Sequence, residues 1–132
     1  MTKLHLAIGV MLAAVVLPQS AMAGFETTYS DWNTMGETAQ SYYSEGLLDQ
    51  SSEMEPGADN EAFATGLRDC ATKLDLTGAM IADAITRHYV NDTSTWGERP
   101  TMVFWHEIVT GACFNYINTA RLNRGLTAWK KN

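Results

Sequence analysis

The sequence predicts an all-α fold, a small four-helix bundle with one disulfide, preceded by a cleaved signal peptide. Three observations carry that prediction. Residues 100–125 repeat their apolar side chains at helical spacing over a stretch far longer than a strand of about 5–6 residues. A second stretch places Phe63, Leu67, Cys70 and Leu74 at steps of four, three and four, a clean helical seam with a cysteine on it. No part of the chain shows a convincing alternation of apolar and polar residues, although β-branched residues make strand the competing reading for residues 101–109.

Taken in order, Lys3 and His5 precede an apolar run over residues 6–17, Pro18 ends it, and Ala21-Met22-Ala23 supplies a small-residue cleavage site. This is the pattern of a secretory signal peptide cut after Ala23. The competing reading, a retained anchor, needs about 20 apolar helical residues to span a bilayer, and the run is shorter. Position 24 is Gly rather than Cys, so nothing marks a lipid anchor. The expected organisation is therefore a signal peptide over residues 1–23 and a single helical domain over 24–132, periplasmic or secreted, with no membrane span after cleavage. Residues 24–31 read as a loose arm. Trp32, Met35, Ala39, Tyr42 and Gly46 predict a helix over 31–48, weakened by its two glycines. Residues 49–59 hold Pro56-Gly57 and four acids and predict a loop. Asp59 or Asn60 caps the next helix, which runs to Leu74. Asp75 and Thr77 mark a break, and Ile81, Ile85 and Tyr89 continue a third helix to about Val90. Residues 91–99 form a polar turn holding Trp96-Gly97.

The fourth helix begins at Pro100, a residue suited to a first turn because its missing N–H is not needed there. Met102, Trp105, His106, Val109, Cys113, Tyr116, Ile117 and Ala120 fall on one line, with Phe104 and Leu122 on the opposite side. Arg121 and Arg124 followed by Gly125 give the stop: cations on the last turn, then a residue free to take positive φ. Residues 126–132 are a short tail with Trp129 and two lysines.

Both cysteines, Cys70 and Cys113, lie in the exported part, where an oxidising compartment favours their pairing; two buried free thiols are the alternative. The absence of a C-x-x-C spacing argues against a disulfide-exchange catalyst. From residue 24 to 67 there are nine acids and no Lys or Arg, and the chain after the leader carries eight bases against fifteen acids. Nucleic-acid binding by a basic stripe is disfavoured. The acidic half is either a solvated face or a surface for a cationic partner.

His106-Glu107 begins the zinc-protease pattern H-E-x-x-H, but Thr110 stands where the second His is required. His106 is expected on the core seam, and a helical turn brings His88 toward Asp92. Two histidines without companion cysteines argue against a metal site. There is no G-x-S-x-G and no glycine-rich phosphate loop. The neighbouring carboxylates Glu53 and Glu55 sit in a loop, a poor place to hold catalytic geometry. No catalytic, cofactor or metal site is expected, and the chain reads as a non-enzyme. The expected job is protein–protein binding, through the acids Glu53, Glu55 and Asp59 together with Trp96, Phe104 and Trp129. The alternative for those aromatics is packing over the bundle ends. A ligand pocket between helices is a further open reading.

With Cys70 in Gly66-Leu67-Arg68-Asp69-Cys70 and Cys113 in Cys113-Phe114-Asn115-Tyr116, the chain resembles in outline two groups of small exported helical proteins. One is the immunity proteins that neutralise type VI secretion cell-wall amidases (the Tai kind). The other is the acid-stress chaperones of the HdeA kind. The first resemblance implies tight binding to one cationic secreted effector. The second implies release of apolar faces when carboxylates protonate.

Overall fold

The computed structural model describes residues 28–53 and 57–131. The signal-peptide assignment and Glu55 lie outside those residues. The described residues form helices and no strand: α1 (Tyr29–Thr34), α2 (Glu37–Ser52), α3 (Ala58–Leu74), α4 (Gly78–Asn91), a 3-10 turn (Thr93–Gly97), α5 (Pro100–Phe104), a π-helical segment (Trp105–Ala112) and α6 (Phe114–Asn123). The last three run on from one another and form the fourth long helix of the bundle. α2 packs chiefly on α4, and α3 on α6.

The single helix expected over 31–48 is two helices. Met35 and Gly36 are both extended, and the corner is closed by hydrogen bonds to the Trp32 carbonyl from the Met35 N–H at 3.1 Å and the Gln40 side-chain amide at 2.9 Å. The break lets Trp32 turn fully inward, where its indole N–H reaches Thr86 Oγ1 on α4 at 3.0 Å. α2 then takes a different phase from the one expected. Ser44 is its buried residue, Tyr43, Leu47 and Leu48 are partly buried, and Tyr42 points outward. α2 also continues three residues past Asp49 into what reads as loop.

The break between α3 and α4 falls where the sequence places it. Asp75 adopts the left-handed conformation (φ 51°), which a short polar side chain tolerates, and the Leu76 N–H closes on the Ala71 carbonyl at 2.9 Å. Thr77 caps α4 by accepting from the Met80 N–H at 3.2 Å. Beyond α4, the Asp92 carboxylate accepts from both the N–H and the hydroxyl of Ser94, at 2.9 and 2.6 Å, and those hydrogen bonds hold it below the usual carboxylate range.

The fourth helix carries the largest departure. The Cys113 N–H bonds to the Ile108 carbonyl, five residues back, at 2.7 Å. Five-residue closure gives more residues per turn, so the inward face steps by fives from Val103 to Ile108 to Cys113, with Phe104 and Val109 beside them, and then by four to Ile117. Phe104, expected on the outer side, is therefore buried. Met102, Trp105 and His106, expected on the seam, face outward. Gly125 does take positive φ, at 73°, and the Leu126 N–H closes the helix end on the Arg121 carbonyl at 3.0 Å.

Cys70 and Cys113 are disulfide-bonded, with Cα atoms 5.3 Å apart and both side chains fully buried. One turn away on each helix, Gly66 lies against Ile117. Because 66 pairs with 117 and 70 with 113, α3 and α6 run antiparallel.

Tyr89 stands fully buried, its hydroxyl donating to the Glu98 carbonyl at 2.8 Å. Burial first, and the Glu98 charge second, push its phenol above the ordinary 10.0. The unfolded chain then releases this proton before the folded chain does. Its contribution to stability is thus intact below pH 10.0 and falls as pH rises beyond it. Tyr89→Phe is expected to be less stable than the parent at neutral pH, by about 1 kcal/mol for the lost hydrogen bond. The gap should narrow as pH rises past 10.0. Urea unfolding across that range checks it; a constant gap would show that the phenol does not control the alkaline limb.

Candidate partner-binding cleft

The π segment and the C-terminal strap enclose a concave surface. Gly125 turns the chain back, and two side chains of α6 clamp the strap. The Arg121 Nε–H donates to the Thr127 carbonyl at 2.8 Å. Asn118 bonds the backbone of Trp129 from both sides, accepting from its N–H at 2.7 Å and donating to its carbonyl at 3.2 Å. Trp129 is thereby fixed with its ring 5.8 Å from that of Phe63 and 6.1 Å from that of Trp105. The Arg121 guanidinium stands 5.1 Å from the Trp129 ring centroid and pairs with Asp59 at 2.9 Å. Arg121 is nearly buried (8 % exposed), and the ion pair, carbonyl and ring face together supply what a desolvated guanidinium requires.

Two hollows meet at Trp129. The larger, about 550 Å³, has an apolar floor of Trp105, Phe114 and Trp129 and a rim of His106 and the two cations Lys130 and Lys131. The smaller, about 200 Å³, lies on the side of Asp59 and Phe63. The wider turn of the π segment shapes the first hollow: Thr110 bonds its hydroxyl back to the Trp105 and His106 carbonyls, at 3.3 Å each, and Gly111 offers a wall without a side chain. A Cβ at Gly111 would stand 2.9 Å from the His106 carbonyl oxygen, so the tight π geometry itself favours glycine there.

Elsewhere, His88 on α4 places Nδ1 2.7 Å from Glu107 and Nε2 3.8 Å from Glu98, with the His106 ring parallel to its own at 6.5 Å. The expected His88–Asp92 pairing is replaced by these two glutamates, since Asp92 is turned onto Ser94. Among the described residues no group of three His, Cys, Asp or Glu side chains is arranged to hold a metal ion.

The residues expected to form a partner surface do not come together as one. Asp59 and Trp129 meet beside Arg121. Glu53 is exposed at the end of α2. Trp96 is half exposed on the 3-10 turn, its indole N–H on the Tyr89 carbonyl at 2.9 Å and its ring stacked on Tyr29 at 4.8 Å. Phe104 belongs to the core. Trp105, His106 and Phe114 of the cleft escape sequence reasoning because an ideal 3.6-residue period turns the first two inward. Lys130-Lys131 beside Trp129 is a signal that could have marked the place. No protein-family model, curated protein or solved structure matches the chain. No helix among the described residues is long and apolar enough to cross a membrane.

Proposed function

We propose that this is an exported binding protein, acting as an inhibitor or immunity protein that seats a segment of its target in the Trp105–Trp129 cleft. The observation that carries the reading is the cleft itself. Tryptophan is enriched among the residues that dominate binding energy at interfaces, and here two partly exposed indoles are set in place, Trp129 by the clamped strap and Trp105 by stacking on Phe63 at 5.6 Å. Rigid aromatic anchors lose little conformational freedom on association. The volume suits a few residues of a partner rather than an entire face.

Bacterial competition tests this. A strain lacking the gene is expected to lose to effector-armed kin. A parental copy should restore survival, and a copy carrying Phe114→Asp, which places a charge on the cleft floor, should restore it much less. Phe114 is partly exposed, so that copy is expected to keep its helical circular dichroism. Undiminished survival of the deletion strain would refute the proposal.

A further inference from the structure

Resting on the reading that the cleft seats a partner segment, we infer that this segment is anionic: a short amphipathic stretch with carboxylates flanking one large apolar side chain. Charge complementarity favours such a segment. The chain has fifteen acids against nine bases, yet among the described residues lining the cleft none is acidic, and the rim holds Lys130, Lys131 and His106. Two neighbouring carboxylates are paired with other residues. Glu107, next to His106 in sequence, is turned onto His88 at 2.7 Å. Asp59, across Trp129, is held by Arg121 at 2.9 Å. The ring faces are supplied with cations as well, Lys131 standing 6.0 Å from the Phe114 centroid and Arg121 5.1 Å from that of Trp129. A cationic ligand would meet like charge on the rim and find these faces taken. A carboxylate meets two ammonium groups, while its apolar neighbour covers the indoles. At about 550 Å³ the cleft falls in the range of small-ligand sites, roughly 300–1,000 Å³, which fits a few residues.

The test uses the folded, oxidised protein and three peptides: acetyl-Glu-Leu-Phe-Glu-amide and its counterparts with Gln or Lys in place of Glu. Binding is followed by the indole N–H signals of Trp105 and Trp129 in two-dimensional NMR. The Glu peptide is expected to bind roughly tenfold more tightly than the Gln peptide at low salt, with the advantage shrinking as salt is added. The Lys130→Gln/Lys131→Gln variant should bind the Glu peptide only as well as the parent binds the Gln peptide, with its thermal midpoint unchanged. Equal affinity for Glu and Gln peptides, or preference for Lys, overturns the charge assignment while the competition assay judges the seating itself. Binding of none of the three overturns it as well. Decanoate shifting both indole signals when no peptide does would assign the cleft to a free small anion instead. Self-association that the double lysine variant abolishes would assign it to a second copy of this chain, and either result overturns the inference.

Discussion

Replacing Cys70 and Cys113 together by alanine is expected to lower the stability by about 4 kcal/mol and the thermal midpoint by about 15–30 °C. The bridge spans a sequence separation of 43 residues, and closing a loop of that length removes a large part of the unfolded chain's freedom. Set against a total of about 5–15 kcal/mol for a small domain, the loss is decisive. The cavity left by two buried sulfurs adds to it. A second observable separates the causes. If the bridge acts on the unfolded state, the unbridged chain exposes more surface on unfolding, and the denaturant slope should steepen along with the shift in midpoint. Reduction of the parent protein keeps both sulfurs in place and should reproduce the loss without the cavity. Urea unfolding of the parent, the reduced parent and the Cys70→Ala/Cys113→Ala variant gives all three numbers. A stability loss under about 1 kcal/mol would mean that packing alone holds α3 to α6.

The pairing of those two cysteines was legible from their count, two in one small helical chain. The helices were legible wherever the apolar step stays near 3.6, as in Phe63–Leu67–Cys70 and Ile81–Ile85–Tyr89, all buried except where the helix ends. Leu74, the last residue of α3, is already exposed. The fourth helix obeys the same rule only after Cys113. Between Trp105 and Ala112 the backbone closes five residues back, and a residue gained in one turn rotates everything upstream of it relative to an ideal helix. Phe104 and Trp105 exchange places as a result, one entering the core and the other opening onto the cleft. The same cause explains both the misplaced core residue and the hidden site. The Met35–Gly36 corner was obscured differently: Trp32, Met35 and Ala39 keep helical spacing across a break that glycine permits but does not announce. The strap was unreadable because what fixes it, Asn118 and Arg121 on the backbone of residues 127 and 129, is tertiary and leaves no periodic trace.

Two glycines in helix interiors should respond to alanine with opposite sign. Gly46 on α2 has open space where a Cβ would go, so Gly46→Ala is expected to stabilise by about 0.5–1 kcal/mol through backbone entropy alone. Gly66 on α3 receives the same intrinsic gain, but its Cβ would run into the Ile117 Cα and stand 2.8 Å from the Ile117 nitrogen and 2.9 Å from the Tyr116 carbonyl oxygen. These are backbone atoms and cannot rotate aside. α3 and α6 must separate, and with the Cys70–Cys113 bond one turn away they are held against doing so. Overpacking costs typically 1–3 kcal/mol, and here the upper end is expected, leaving a net loss of about 2 kcal/mol after the propensity gain. The bridge supplies the sharper check. In the Cys70→Ala/Cys113→Ala background the two helices can part, so Gly66→Ala should cost less there, by about 1 kcal/mol. Chemical denaturation of the four combinations measures that coupling directly. An equal cost in both backgrounds would mean that the contact at Ile117, and not the covalent bond beside it, sets the distance between the helices.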